Sequence, residues 1–360
     1  MAMDDLTAGT HEQVIVTRLA DTGVTCIIAI HSTRLGPALG GTRIRDYPSF
    51  DDALTDVLRL SAAMTHKNAC AGLDFGGGKA VIIGDPAKVR TEPVLRAYGR
   101  AIAGLAGRYI TACDVGSTPA DMAMIRRETR WATGTHVVEG GSGDSGVLTA
   151  TGVHLAIRTG VTHALGADSL RGIHVAVQGL GKVGARLVGH LVADGAKVTV
   201  ADVDADALAR TVDEYGVDTV ETDEILAVNA DVVSPNALGA VLNEATIPTL
   251  QARLVCGGAN NQLATAEDAV RLRDHGIVYA PDFVVNAGGV INLAQELHPE
   301  GYSVERARAR LESIPATLQR VLGDADAAAI TTEEAAARLA DDRLASIEAS
   351  HRFWLRPTPE

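Results

Sequence analysis

The stretch "GIHVAVQGLGKVGARLVGHL", residues 172 to 191, constrains this chain more than any other. An apolar run of β character leads straight into Gly179, Gly181 and Gly184, spaced G-x-G-x-x-G around Lys182, and then into a segment of helical periodicity. A second β-like run, "KVTVADVD", carries Asp202 at its end, eighteen residues beyond Gly184. In a strand–loop–helix unit the first two glycines allow a tight turn and close approach of a pyrophosphate. The third lets helix and sheet pack, and the carboxylate accepts from ribose hydroxyls. A glycine turn with no ligand is the bland alternative, and it leaves the acidic residue at the end of the next strand unexplained. "ADVDADA" holds three carboxylates and no basic residue before Arg210, so a 2′-phosphate would meet repulsion. NAD is therefore expected rather than NADP, with Lys182 counted in the same site.

The rest of the second half continues the pattern. Further β-like runs at "ADVVSP", "ARLVCGGAN" and "GIVYAP" imply a doubly wound sheet. The first half also alternates strand and helix: "EQVIVTRL", the turn "ADTG", "VTCIIAIH", a helix over "SFDDALTDVLRLSAAM", a strand "AVIIG", a helix "EPVLRAYGRAIAGLAG" and a strand "RYITACDVG". Leu54, Val57, Leu58, Ser61 and Met64 fall on one face of the first helix. A helix is expected to start near Thr118-Pro119. At 360 residues two domains are allowed. The predicted division is 1–140 for substrate, catalysis and assembly, 141–330 for the dinucleotide, and 331–360 as a helical tail opened by a Thr331/Glu334 capping box.

Net charge is −13 with no Lys/Arg-rich block, which argues against nucleic-acid and anionic-membrane partners. The acidic "MAMDDLTAGT" start and the lack of any long apolar run predict a cytoplasmic protein. Four scattered cysteines, Cys26, Cys70, Cys113 and Cys256, fit free thiols and no metal site.

Chemistry in the first half centres on "GLDFGGGKA", residues 72 to 80. It is not a P-loop: Leu73 stands where a glycine is needed, and Ala80 where a Ser or Thr is needed. A glycine turn followed by a solvated lysine is the plain reading. Lys67 just past a helix, Lys79 after the glycines and Asp114 after a strand could instead meet at strand ends, where ligands gather in α/β sheets. Two lysines and a carboxylate suit an α-amino acid. One ammonium pairs with the substrate carboxylate; the other, desolvated and near a cation, can lose its proton and act as base. Arg43 and Arg45 are expected at a surface or interface. Spacing alone leaves three surface charges as the rival reading.

"LGPALGGTR", "MTHKNACAGLDFGGGKAVIIGDP", "GRYITACDVG", "VCGGANNQLA" and "YAPDFVVNAGGVIN" resemble, in the right order, the NAD-dependent amino-acid dehydrogenases of the glutamate, leucine, valine and phenylalanine type, from about Thr10 through the terminal helices. "KNACAGLDFGGGK" is similar to the leucine/valine branch; the phenylalanine branch usually differs between the two lysines. The resemblance implies an N-terminal α/β substrate domain and a Rossmann-type NAD domain with a cleft between them. It also implies a homo-oligomer and oxidative deamination of a branched-chain aliphatic L-amino acid to its 2-oxo acid. By the same resemblance Lys79 is the catalytic amine, Asp114 assists proton transfer, and Lys67 and Gly41 hold the substrate carboxylate. Asn260 sits at the substrate, Asn261 at the nicotinamide ribose and Thr149 at the nicotinamide; Leu39, Ala112, Val290 and Leu293 line the side-chain pocket. Four departures stand out: Asn236 where the family usually shows Cys, Ala240 in place of a second Gly, Leu293 in place of a common Val, and "GDSGVL" in place of a proline-containing loop. A phenylalanine substrate and a non-catalytic NAD-binding regulator are the alternatives.

Overall fold

A computed structural model describes residues 9–19 and 22–348. Most of the acidic N-terminus, residues 20–21 of the expected turn and residues 349–360 of the tail lie outside the described residues. The first sheet is mixed. β1 (Gln13–Arg18), β2 (Thr25–Ser32), β3 (Ala38–Leu39), β4 (Thr42–Arg45), β5 (Gly76–Ile83) and β6 (Tyr109–Ile110) run in the order β1-β2-β5-β3-β6, with β4 also on β5. β2 runs antiparallel to both its neighbours, β1 and β5, while β3 and β4 run parallel to β5. β5 is buried on both faces, which is why its residues are glycine and aliphatic apart from Lys79.

The three glycines are thus part of a strand and not a turn, which corrects the sequence reading. Their missing side chains serve packing. A Cβ on Gly76 would lie 1.9 Å from Ser32 O, on Gly77 2.1 Å from Thr65 Oγ1, and on Gly78 2.8 Å from the Tyr109 ring.

Helix α1 (Phe50–Cys70) crosses this sheet. Ser49 Oγ accepts from Asp52 N, and Asp51 and Asp52 face the positive end of the helix dipole. Leu54, Val57, Leu58 and Ser61 are buried as expected, whereas Met64 is half-buried and reaches the cleft described below. α2 (Pro86–Val89), α3 (Glu92–Ala103) and α4 (Pro119–Arg126) follow, α4 opening at Thr118 with a complete capping box to Asp121.

The second sheet is wholly parallel: β12-β11-β10-β7-β8-β9, from β7 (His174–Gln178), β8 (Lys197–Ala201), β9 (Asp218–Thr219), β10 (Val232–Pro235), β11 (Leu254–Val255) and β12 (Val278–Tyr279). The order steps outward from β7 in both directions, as in a doubly wound dinucleotide fold. Around it lie α5 (Gly146–Leu165), α6 (Gly184–Ala193), α7 (Ala205–Tyr215), α8 (Glu267–Asp274), α9 (Asp282–Val285) and α10 (Gly288–Ala294).

α11 (Val304–Leu311), α12 (Ser313–Ala328) and α13 (Thr332–Glu348) close the chain. α12 packs on α5, and α13 returns to the first half and packs on α1. There Arg343 donates to Ala69 O at 2.8 Å, which also accepts from Gly72 N, and to the Asp74 carboxylate at 2.9 Å, tying α13 to the end of α1. Half of the expected capping box forms: Thr331 Oγ1 accepts from Glu334 N, but the Glu334 carboxylate turns to Arg338. Among the described residues no helix is long and apolar enough to cross a membrane.

Candidate active site

A cleft of about 610 Å³ opens between the two sheets and gathers most of the residues singled out from sequence. Lys67 reaches it from the last turn of α1, Lys79 from β5, and Asp114 from the segment after β6, where Cys113 bridges to Thr42. Gly41 lies between β3 and β4; a Cβ there would meet Cys113 O at 2.6 Å, so only glycine lets these two segments close up. Tyr109 OH donates to Gly40 O at 2.7 Å and fixes that turn from beneath.

Lys79 Nζ stands 2.8 Å from Asp114 Oδ2. Arg43 Nε approaches the same oxygen at 3.2 Å, and Arg43 Nη1 pairs with Asp56 at 2.8 Å. Arg43 is therefore a cleft residue and not a surface one. Its tether, Asp56, lies thirteen residues on in α1, and nothing in the local sequence spacing marks the pair. Burial opposes ionisation of Asp114, but Lys79 and Arg43 outweigh it and hold the carboxyl below the usual carboxylate range. Arg45, by contrast, is exposed and lies over the Tyr47 ring.

Lys67 Nζ donates to Asn260 Oδ1 at 2.9 Å, and Asn286 Nδ2 donates to the same oxygen at 3.0 Å. This contact joins the two halves across the cleft. Burial pushes the Lys67 ammonium down to about 8; Asp282 resists the shift and Lys79 adds to it. Asp282, Asn286 and Glu333 also line the cleft and were not singled out from sequence. Asp282 and Asn286 sit inside "YAPDFVVNAGG", where a polar pair spaced i, i+4 amid apolar residues is the available signal. Glu333 looks like any first-turn carboxylate of a terminal helix.

Leu39, Ala112, Val290 and Leu293 supply apolar walls, with Thr149, Lys182 and Asn261 toward the second sheet. Leu293 rests against Gly134, where an added Cβ would lie 3.3 Å from Leu293 Cδ2. Asn261 adopts left-handed φ of 53°, a conformation asparagine tolerates.

Gly179, Gly181, Gly184 and Asp202 do not themselves line this cleft; they follow the carboxyl ends of β7 and β8, and Lys182 and Val183 of the same glycine loop reach it. Gly179 has φ of 92°, and a Cβ on Gly184 would meet Gly179 O at 1.8 Å. A Cβ on Gly181 would meet nothing, which leaves open space over the loop for a phosphate. Asp202 accepts from Leu180 N and, at 2.8 Å, from Asp204 N, so its carboxylate is held at the loop's edge. These residues fit a dinucleotide. Asn236 ties the neighbouring strand end down, its Nδ2 donating to Ser234 O and its Oδ1 accepting from Gly258 N. Ala240 takes φ of 57°, where glycine would be unstrained.

Residues 11–131 match the family described as Glu/Leu/Phe/Val dehydrogenase, dimerisation domain, and residues 204–351 match Glutamate/Leucine/Phenylalanine/Valine dehydrogenase. The leucine dehydrogenase of Bacillus cereus is 48% identical over 346 residues, 96% of this chain and 94% of that protein. The valine dehydrogenase of Streptomyces coelicolor is 48% identical over 340 residues, 94% of this chain and 93% of that protein. Among solved structures, L-tryptophan dehydrogenase from Nostoc punctiforme superposes with a TM-score of 0.84 at 40% identity, covering 96% of this chain and 99% of that one. The chain thus belongs to the glutamate/leucine/phenylalanine/valine dehydrogenase family and is an oxidoreductase.

Proposed function

We propose that this dehydrogenase oxidatively deaminates branched-chain aliphatic L-amino acids, valine, leucine and isoleucine, to their 2-oxo acids and ammonium, reversibly and with NAD. The observation that carries the reading is the convergence of Lys67, Lys79 and Asp114 on one cleft with aliphatic walls, in a chain whose relatives are named leucine and valine dehydrogenases.

Lys67, with Gly41 beside it, holds the substrate carboxylate. Asp114, kept ionised by Lys79 and Arg43, receives the substrate amino group and orients the Lys79 amine. A nicotinamide dinucleotide, when bound near Thr149 and Asn261, supplies the two-electron acceptor for the Cα–H bond. Lys79, once neutral, takes a proton from the water that adds to the resulting C=N carbon. It then returns that proton to the nitrogen while the ionised Asp114 takes up the hydroxyl proton, so that C=O forms as the C–N bond breaks, and the ammonia released leaves as ammonium by taking that proton. Leu39, Ala112, Val290 and Leu293 hold the side chain and exclude water. No protein group needs to become covalently bound.

NAD is favoured over NADP because Asp202 is held at the loop edge and Asp204 and Asp206 follow it with no Lys or Arg in the sequence before Arg210. We assign substrate binding, catalysis and assembly to 1–140, the cofactor to 141–330, and a helical tail to 331–360. β1 is an edge strand in the segment whose family description is a dimerisation domain, which supports pairing into a homo-oligomer. Free thiols at all four cysteines support a cytoplasmic setting. The test is cofactor reduction, followed by absorbance, with a panel of L-amino acids and both NAD and NADP. No turnover of valine, leucine or isoleucine would sink the proposal, and preference for phenylalanine or tryptophan would move the branch.

A further inference from the structure

Glu296 does not line the cleft and the reaction above gives it no task, yet its carboxylate sits at the crossing between the two halves of the chain. It lies on the short 3-10 turn Gln295–Leu297 that continues α10, one helical turn beyond Leu293. Its Oε1 accepts from Gly134 N and from Ser142 N, each at 2.8 Å. Those amides stand at the neck of the loop that leads toward α5, where Gly143 N also donates to Thr135 O at 3.2 Å. Asn292 Nδ2, on α10, donates to Ser142 O at 3.1 Å, and Tyr302 OH donates to Asn292 Oδ1 at 2.8 Å. The second carboxylate oxygen, Oε2, is buried with no hydrogen-bond partner among the described residues. A carboxylate left half satisfied is destabilising, so closing a loop alone accounts poorly for it.

What Glu296 holds in place is the back of the side-chain pocket. Gly134, with left-handed φ of 81°, is wedged between the two halves: a Cβ there would lie 3.3 Å from Leu293 Cδ2 and 3.5 Å from both Cys113 N and Cys113 Sγ. Cys113 stands between Ala112 and Asp114, and its Sγ donates to Gly134 O at 3.6 Å. Thr133 N donates to Thr111 O at 2.8 Å, which anchors the residue before Gly134 to the first half. We propose that Glu296 is a positioning residue for substrate selection: by clamping Gly134 N one helical turn from Leu293, it stops that side chain backing away from the cleft and so fixes the depth of the pocket. This rests on the assignment of Leu293 to the side-chain pocket. Leu293 and Glu296 are three residues apart on one helical run, so clamp and wall move together. The charged acceptor strengthens both bonds from backbone N–H. With the clamp removed, Gly134 can withdraw and Leu293 can follow it, which opens room for a longer substrate side chain. A methyl group added at Gly134 does the reverse and presses Leu293 into the cleft.

The experiment compares native protein with Glu296→Ala, Glu296→Gln and Gly134→Ala. One arm measures kcat/KM for valine, leucine and phenylalanine. The other follows hydrogen exchange in peptides spanning residues 132–143 by mass spectrometry, which needs neither substrate nor turnover. Glu296→Ala is expected to raise the leucine-to-valine ratio of kcat/KM about tenfold, and Gly134→Ala to lower it about tenfold, the scale of one methylene in an apolar pocket. Exchange at Gly134 and Ser142 should quicken about tenfold or more in Glu296→Ala. Glu296→Gln offers the same carbonyl acceptor and should keep the native ratio and the native exchange. A purely structural role would lower every rate alike and leave the ratio where it was. A ratio that Glu296→Ala leaves unmoved, a shift in the same direction in both alanine variants, or unchanged exchange in Glu296→Ala overturns the proposal. Should Gly134→Ala fail to fold, Glu296→Ala against Glu296→Gln decides it. Native protein that oxidises phenylalanine but none of the branched-chain substrates would instead defeat the functional reading. The exchange arm, with the ratio taken between the apolar amino acids it does oxidise, would still decide the role of Glu296.

Discussion

Lys79 and Asp114 form an ion pair of 2.8 Å in which the lysine side chain is only 8% exposed, and Arg43 stands on the far side of the same carboxylate oxygen. One anion thus serves two cations inside the cleft, and in the proposed reaction the substrate ammonium would be the third. The pair fixes the direction of the Lys79 amine, the proposed base, before any ligand arrives.

Replacing Lys79 by alanine should lower kcat by about a thousandfold, within the range for loss of a general base. Asp114 keeps Arg43 as partner, so the fold should survive. NADH binding, followed by fluorescence titration, should stay near native. A variant with substantial residual rate would make Lys79 a structural cation only.

Asp114 also sets an acid limit on stability. Its folded-state pKa lies below that of the unfolded chain, so its contribution is fully present above the ordinary carboxylate range and is lost as pH falls through the lower folded value. Native protein should therefore lose stability on acidification below about pH 4, and Asp114→Asn should show a shallower loss there. At neutral pH that variant should be less stable by about 3 kcal/mol, because two cations lose their shared anion. Denaturant midpoints across the acid range would measure both; equal acid slopes would remove the pair from the stability account.

Leu293 lines the cleft with Gly134 behind it, so in the proposed pocket its bulk shortens the space left for a side chain. Valine should be turned over at least as efficiently as leucine, and phenylalanine poorly. Leu293→Val should shift the leucine-to-valine ratio of kcat/KM upward by about tenfold, the scale of one methylene in an apolar pocket. Cofactor affinity should not move. Preference of the native enzyme for phenylalanine would show that this wall does not govern selection.

Cofactor choice should follow Asp202. Asp202→Ala should weaken NAD by roughly tenfold or more, since a charged hydrogen bond is lost. Val203 beside it is 90% exposed and has room for a larger side chain, so Val203→Arg in that background should raise NADP use relative to NAD. Equal use of both cofactors by the native protein would contradict the role given to the acidic strand end.

The dinucleotide half could be read from sequence because its signals are local: strand, glycines, helix and acid lie within thirty-one residues, 172 to 202. Lys67, Lys79 and Asp114 stood out as charges in apolar or glycine-rich surroundings. What stayed hidden was carried by contacts distant in sequence. Arg43 looks like a surface residue until Asp56 and Asp114 are placed beside it. Glu333 looks like a helix-start carboxylate until α13 is seen to fold back on α1. The glycine run misled for a different reason. Three glycines in sequence fit a turn, and only their neighbours, Ser32, Thr65 and Tyr109, show that they are the thin part of a packed strand.

That strand has a consequence for how such an enzyme can change. Lys79 sits opposite Ala29 in an antiparallel ladder, and the next residue, Ala80, is matched with Thr42 on the other side. Its direction is therefore specified in whole residues, since a shift of one would turn the amine through to the other face of the sheet. A base carried on a loop could drift by small steps as the loop lengthened or shortened; this one has no intermediate positions to occupy. Under the proposed assignment, variation in what the enzyme accepts would fall on the facing walls, such as Leu293 and Val290, while the amine stays where it is.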